Sequence, residues 1–418
     1  MSYKELQEVY LGDIAEEITV GFVGSMTSEY KDWGIPFLRS LNVKQYKVNL
    51  NSVKFVNREF HQKLKKSALK PGDVVIVRTG KPGTATVIPD WLEEANCSDL
   101  VIVRPGNNLD SNFLAAYINT IATSHIDAHI VGAVQQHFNV ASAKKMKLKL
   151  PPIEIQRKIG KTISNLNDKI EVNEKIVNLL EQISNELFKS WFIDFEFPNE
   201  QGEPYKSSGG EMVESELGEI PKGWECLALY DLADYINGAS FKNNEIGNVA
   251  DGLPIIKIAE LKNGFSNNTK YFVGEKDKKY YLENGDILFS WSGNPYTSID
   301  TFFWTKGQGV LNQHIFKVVS DKYPQQLIYT LLKYFKPEFS RIASNKQTTG
   351  LGHVTVKDLK NLKITLPKNT VQMKKLIALV DLILELNLEN HKLVDIRDTL
   401  LPKLLSGEVE IPDELVVD

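Results

Sequence analysis

The sequence predicts an α+β protein in which two homologous mixed α/β globules are separated by two long helices that pair as an intramolecular antiparallel coiled coil. Three observations predict it. The 418-residue chain repeats itself at a displacement of about 216 residues. Each repeat opens with about 150 residues of short β-rich runs broken by isolated helical segments, and each closes on a long heptad-patterned stretch.

The repeat is read from matched segments in a kept order. Leu11-Gly-Asp-Ile-Ala15 answers to Leu229-Tyr-Asp-Leu-Ala233, and Ile35-Pro-Phe-Leu-Arg-Ser40 to Leu253-Pro-Ile-Ile-Lys-Ile258. Gly72-Asp-Val-Val-Ile-Val-Arg-Thr-Gly-Lys-Pro82 answers to Gly285-Asp-Ile-Leu-Phe-Ser-Trp-Ser-Gly-Asn-Pro295. Asn96 then falls on Asn312, His137 on His353, and Lys149-Leu-Pro151 on Thr365-Leu-Pro367.

Within each globule, runs such as Val74–Val77, Leu100–Val103, Asp286–Phe289 and Ile315–Val319 read as strands, punctuated by Gly, Pro and Asn. Asn112 to Ala122 and Pro324 to Tyr334 read as helices. After Pro151, the residues Ile159, Ile163, Leu166, Ile170, Val177, Leu180, Leu187 and Trp191 recur at alternating steps of four and three, with Asn173 and Ser184 filling the gaps. That is a seam of about 35 residues, roughly 50 Å long. After Pro367, Leu376, Leu379, Ile383, Leu386, Leu393, Ile396, Leu400 and Leu404 trace a similar stripe, with Asn390 on it. Such one-sided helices are best satisfied by each other, and a polar Asn in each seam fixes register. The chain thus divides into a globule over 1–150, a helical spacer over 151–198, a polar linker over 199–215, a second globule over 216–366 and a C-terminal helical spacer over 367–418.

A formal net charge of -4 argues at first against a nucleic-acid partner. Its distribution reverses that inference. Once the acidic opening segment of each globule is set aside, residues 31–150 carry 17 basic against 9 acidic side chains and residues 236–366 carry 17 against 11. Two basic bodies joined by acidic helices fit phosphate contacts confined to two patches.

Candidate readers of base edges stand at equivalent places in the two repeats. After one strand come Arg78, Thr79 and Lys81; after its counterpart come Ser290, Trp291 and Asn294. Arg and Lys suit guanine edges or phosphates, and Asn suits adenine. Polar clusters precede the equivalent histidines: Gln135 and Gln136 before His137, and Asn345, Lys346, Gln347 and Thr348 before His353. Arg39 and Lys257 look like phosphate contacts.

The sequence lacks the parts of several chemistries. It has no P-loop, no Gly-x-Gly-x-x-Gly opening a helix and no His-Glu-x-x-His, so no catalytic residue is assigned. Cys97 and Cys226 are isolated, and His125 and His129 lack a third ligand, so no metal site is expected. Asn294-Pro-Tyr296 reads as a turn rather than an adenine-gripping motif. No apolar run of membrane-spanning length and no secretory signal is seen, which points to a cytoplasmic protein without a membrane partner. The chain reads as a binder. The alternatives are a self-sufficient methyltransferase or nuclease, and a coiled-coil scaffold that binds protein only.

Three segments carry a resemblance to a known family: Leu150-Pro-Pro-Ile-Glu-Ile-Gln-Arg-Lys-Ile159, Leu187-Phe-Lys-Ser-Trp-Phe-Ile-Asp-Phe195 and Glu216-Leu-Gly-Glu-Ile-Pro-Lys-Gly-Trp224. They resemble the joints of the specificity subunit of type I restriction-modification systems, and the likeness covers essentially the whole chain. The resemblance implies two target recognition domains that read a bipartite, asymmetric site in double-stranded DNA, and a spacer that sets the gap between its halves. It implies a non-catalytic subunit assembled with two modification subunits, which methylate adenine, and optionally with two restriction subunits. No cofactor is then expected on this chain, and S-adenosylmethionine, ATP and Mg2+ belong to the partner subunits. Ile159, Ile163, Trp191, Phe192, Leu400 and Leu404 are the candidate docking residues. The second joint, Leu366-Pro-Lys-Asn-Thr-Val-Gln-Met-Lys-Lys375, lacks the double proline, and Pro402 is expected to end or kink the last helix.

Overall fold

A computed structural model describes residues 6–122, 138–249, 252–347, 350–368 and 373–412. The chain forms two compact units, Met1–Glu171 with Leu393–Asp418, and Val172–Lys392. Both long helices run through the two, so each unit contains a globule and a stretch of each helix.

In the first unit, β1 (Gln7–Tyr10) pairs antiparallel with β10 (Lys147–Leu150), the strand that leads into the first long helix. One four-stranded sheet runs β4 (Lys54–Val56), β3 (Ile35–Leu38), β8 (Ala95–Cys97), β5 (Ala68–Leu69), with β3 and β8 parallel. The other runs β2 (Ala15–Val20), β9 (Leu100–Pro105), β6 (Val74–Val77), β7 (Ala85–Val87). Strand β6 is an unbroken apolar run because both of its faces are covered: Val74 and Ile76 join the core under helix α1 (Ser111–Thr120), while Val75 and Val77 join a smaller cluster with Ile88 and Leu100. Helix α1 starts where the Asp110 carboxylate accepts the Phe113 N–H at 2.8 Å.

The second unit repeats this plan with one strand added. β11 (Trp224–Ala228) pairs with β20 (Lys363–Pro367). A sheet runs β14 (Tyr271–Phe272), β13 (Leu253–Ile256), β18 (Gly309–Leu311), β15 (Tyr281–Leu282), with Ile246–Gly247 added at its edge and β13 and β18 again parallel. A second sheet runs β12 (Asp234–Asn237), β19 (Ile315–Val319), β16 (Ile287–Ser290), β17 (Asp300–Phe303), under helix α3 (Gln325–Tyr334). The parallel register corrects one expected equivalence. Leu38 faces Cys97 and Ile256 faces Leu311, so Asn312 is the counterpart of Ser98 and not of Asn96. Asn96 is instead a buried bracket, accepting from Ser67 Oγ at 2.7 Å and donating to the Leu64 carbonyl at 3.2 Å.

Helix α2 (Ile153–Phe188) begins straight after Pro151-Pro152. The buried Gln156 fastens this start, donating to the carbonyl of Pro151 at 2.9 Å and accepting the Asp110 N–H at 3.1 Å. The helix leaves through one π-turn, Lys189–Ile193, that aims Trp191 and Phe192 into the second core. There the other two joint segments meet, with Trp224 stacked 4.9 Å from Phe197 and tilted against Phe192 at 5.7 Å. The expected linker is held in this cluster: Tyr205 stacks on Phe197 at 4.5 Å, and Met212–Ser215 pairs with Gly218–Pro221. Aromatic contacts, not composition, decide that this polar segment is folded.

Helix α4 (Lys374–Ser406) runs antiparallel to α2 within each unit. In the second, Asn173 Nδ2 donates to Asn390 Oδ1 at 2.9 Å and Glu389 Oε2 at 2.7 Å; in the first, Arg397 donates to Asn167 Oδ1 at 2.8 Å. The α2 seam follows the predicted heptads from Ile159 to Ser184, beyond which Phe188 is fully buried while the expected Leu187 is half-buried. The α4 seam is corrected, because Ile396 is 51% exposed while Val380 and Leu401 are buried. The seam runs through buried Leu376, Val380 and Ile383, half-buried Asn390 and Arg397, and buried Leu401 and Leu404, at steps of four, three or a full seven, and Arg397 takes the place that apolarity alone assigned to its neighbour. Its guanidinium lies over the Tyr46 ring, 4.8 Å from the centroid. Pro402 does not end the helix, which continues to Ser406.

Replacing buried Ile163 with Ala should cost about 2–5 kcal/mol by loss of packing and creation of a cavity. The same change at exposed Ile183 should stay within about 0.5 kcal/mol. Denaturant melts of the two variants check the difference.

Candidate nucleic-acid interface

In the first unit the buried strand β6 ends at Val77 and delivers Arg78 to the surface. The chain then turns back on itself, Val77 N–H donating to the Thr84 carbonyl at 2.9 Å and Gly83 N–H to the Val77 carbonyl at 3.0 Å. Gly80, at φ +87, takes the left-handed conformation that the turn requires. Lys81 stands exposed at its tip. Arg78 is held on two sides: its Nε donates to the Phe138 carbonyl at 3.3 Å, and its guanidinium lies 3.7 Å from Asp99 Oδ1. Phe138 N–H in turn donates to the Arg78 carbonyl at 3.2 Å, which brings the segment following His137 against this turn. Gln135, Gln136 and His137 themselves lie outside the described residues, as do His125 and His129. Thr79 Oγ1 donates to Asp99 Oδ2, and Ser40 Oγ lies 3.4 Å from the same oxygen. Beside Ser40, Arg39 donates to the Ser52 carbonyl at 2.7 Å and faces the Tyr30 ring.

The second unit brings the equivalent segments together by the same route. Ser292–Gly293 pairs with Gly352–His353, and Val354 N–H donates to the Trp291 carbonyl at 2.8 Å. Gly293 has φ +116, and a Cβ there would meet the Ser298 side chain at 2.8 Å. Trp291 is half-buried, its Nε1 donating to Asn237 Oδ1 at 3.2 Å. Ser340 Oγ ties the turn down by donating to the Pro295 carbonyl at 2.9 Å. Lys257 is half-buried where the short helix Ile258–Asn263 begins, its N–H donating to Glu260 Oε2 at 3.1 Å.

Several expected readers have other work. Ser290 is wholly buried in β16 and its side chain cannot reach a ligand at the surface. Asn294 Oδ1 accepts the N–H groups of Tyr296 and Thr297, both at 3.0 Å, so its carbonyl shapes the turn rather than standing open for a bidentate base contact. Lys346 pairs with Asp358; burial pushes that carboxyl up, but Lys346 and Thr355 outweigh it and hold it below the usual carboxylate range. Gln347 Nε2 donates to the Gly350 carbonyl at 2.7 Å, Asn345 is exposed at the end of the helix Lys336–Asn345, and Thr348 lies outside the described residues. Two residues that the sequence reading missed belong to these surfaces, Asp99 and His314, and Tyr296, expected only as part of a turn, is 71% exposed. Their signal is positional, since each adjoins the end of the same buried strand.

The expected docking residues are core residues. Ile159, Ile163 and Leu404 are buried in the first core, with Leu400 packed against it, and Trp191 and Phe192 are buried in the second. The heptad pattern marks what the helices bury and therefore hides it from a partner. A different stripe on α2 is open: Val172, Ile176, Leu179 and Ile183, between 37% and 57% exposed, at helical spacing along one face. Among the described residues no His, Cys, Asp and Glu are grouped to hold a metal ion, and no helix is long and apolar enough to cross a membrane.

The comparisons with known proteins agree with this duplicated architecture. The family described as the type I restriction modification DNA specificity domain matches residues 3–182 and again 221–397. The type I restriction enzyme MjaIX specificity subunit of Methanocaldococcus jannaschii is 31% identical over 287 residues, 65% of this chain and 63% of that protein. The HindI specificity subunit of Haemophilus influenzae is 25% identical over 415 residues, 82% of this chain and 88% of that one. The crystal structure of a type I restriction-modification S subunit from M. genitalium superposes with a TM-score of 0.51 at 15% identity, covering 97% of this chain and 99% of its own, which shows a shared fold. With both halves of its duplication matched, the chain belongs to the type I restriction modification DNA specificity family.

Proposed function

We propose that this chain is the DNA-reading subunit of a type I restriction-modification complex and that each unit reads one half of a bipartite, asymmetric site. One observation carries the reading: two globules of one topology bring the same three segments together at the end of the same buried strand, but present different side chains there. Arg78, Thr79 and Lys81 occupy that place in the first unit, and Trp291 and Tyr296 in the second. One scaffold used twice with different chemistry suits two different half-sites. Phosphate contacts from the basic bodies supply affinity, and side chains of the turns supply discrimination of about 1–3 kcal/mol per good bidentate pair.

The long helices set the unspecified gap and carry two modification subunits, which hold S-adenosylmethionine and methylate adenine; two restriction subunits, with ATP and Mg2+, join optionally. The chain itself binds and does not catalyse. The exposed stripe Val172, Ile176, Leu179 and Ile183 is the docking face this reading favours, because its apolar side chains are open while the seam is spent on the two cores.

Base-resolution mapping of N6-methyladenine in cells with and without this chain should show a bipartite motif that depends on it. Methyl transfer or cutting by the purified chain alone would favour a self-sufficient enzyme. No DNA mobility shift even with modification subunits present would favour a protein-only scaffold. Replacing Leu179 and Ile183 with Glu should weaken capture of the modification subunit at least tenfold, as read by co-purification and titration, while the thermal melt of the isolated chain stays near that of the parent. Unchanged capture would remove the stripe from the interface.

A further inference from the structure

The turn between β8 and β9 was not among the expected readout segments, yet in the first unit it meets two of them. Asp99 sits in this turn at φ +56, a left-handed conformation uncommon outside glycine but tolerated by Asp. Its Oδ2 accepts Thr79 Oγ1 and lies 3.4 Å from Ser40 Oγ, and its Oδ1 is 3.7 Å from the Arg78 guanidinium. One carboxylate therefore gathers the strand-end residues of the turn after β6 and the segment beside Arg39. The Arg78 side chain is only 19% exposed, and the bond from its Nε to the Phe138 carbonyl closes off a second direction of movement.

The second unit solves the same problem with other chemistry. Its equivalent turn is one residue longer, with Asn312, Gln313 and His314 between β18 and β19 where Ser98 and Asp99 stand between β8 and β9. The His314 ring packs 5.6 Å from Trp291, the residue that answers to Arg78. In each unit, then, the residue leaving the buried strand is gripped by this turn, through charge and hydrogen bonds in one and ring contact in the other.

We propose that Asp99 is a positioning residue for half-site recognition: it fixes the side chains of Arg78 and Thr79 as they face DNA and so helps to set which sequence the first unit accepts. The inference rests on the function proposed above. Its physical basis is preorganisation, since a planar guanidinium already held in one orientation loses less freedom on meeting a base edge and tolerates fewer alternative bases.

The test uses the full chain assembled with its modification subunits, comparing Asp99→Ala and Asp99→Asn by mapping of methylated motifs. Asn keeps an oxygen that can accept from Thr79 but removes the charge facing Arg78. Asp99→Ala should widen base preference by about tenfold at one or more positions of the first half-site, with the second half-site and the gap as in the parent. Asp99→Asn should widen it less. If Asp99→Ala fails to fold, Asp99→Asn alone carries the test. An unchanged first half-site in the folded variants overturns the proposal, and so does equal loosening of both half-sites or loss of all methylation by a folded Asp99→Asn chain. A parent motif that persists in cells lacking this chain would instead overturn the underlying reading, before either variant is considered.

Discussion

Each globule shares its hydrophobic core with the long helices, and the rest of the structure depends on that sharing. In the first unit Ile159, Ile163, Leu401 and Leu404 are buried with Phe113, Leu114 and Phe138; in the second, Phe188, Trp191, Phe192, Leu376 and Val380 are buried with Leu331 and Phe339. At about 1.5–3 kcal/mol for each large apolar side chain removed from water, these helix residues contribute a substantial part of each core. The sheets are thereby fixed on the helices rather than tethered to them, and the outer turns inherit that fixed placement. Gln156 at the start of α2 and the Trp224 cluster at its end mark the two joints where this happens.

The same economy explains the turns. A strand covered on both faces, Val74–Val77 or Ile287–Ser290, is a rigid platform, and whatever leaves its end is presented in a defined direction. Rigidity at the base permits divergence at the tip. Arg78 and Trp291 differ in charge, shape and partners, yet their carbonyls accept equivalent backbone bonds, from the N–H groups of Phe138 and Val354. On the function proposed above, affinity for a polyanion would belong to the basic bodies as a whole, and discrimination to a few side chains whose orientation the framework controls.

Much of this was legible in the sequence because it rests on periodicity and repetition. The duplication was read from Gly-Asp pairs that open equivalent buried strands, where Asp73 and Asp286 accept backbone N–H groups at 2.9 and 2.8 Å. The α2 seam was legible as far as Ser184 because its heptads are unbroken there, whereas beyond it Phe188 is buried in place of Leu187. The α4 seam was misread at one point for a specific reason: apolarity favoured Ile396, but Arg397 reaches Asn167 and the Tyr46 ring, partners that only the fold provides. Individual readers were the least legible. Residue type suggested Ser290 and Asn294, but whether a polar side chain meets solvent, a core or its own turn is decided by strand register, which composition does not report. Asp99 was missed because its contacts reach up to 59 residues away in sequence, as with Ser40.

The central claim, that two recognition units read separate half-sites and the helices between them set the gap, is tested most directly by shortening both helices together. Removing residues 165–171 from α2 and the facing residues 392–398 from α4 deletes one heptad from each, preserves the alternation of the seam and leaves the exposed stripe from Val172 to Ile183 in place. Methyladenine mapping of the resulting complex should show both half-sites unchanged and the unspecified gap between them shortened. A gap of the original length, or altered half-sites, in a folded and active complex would contradict the account.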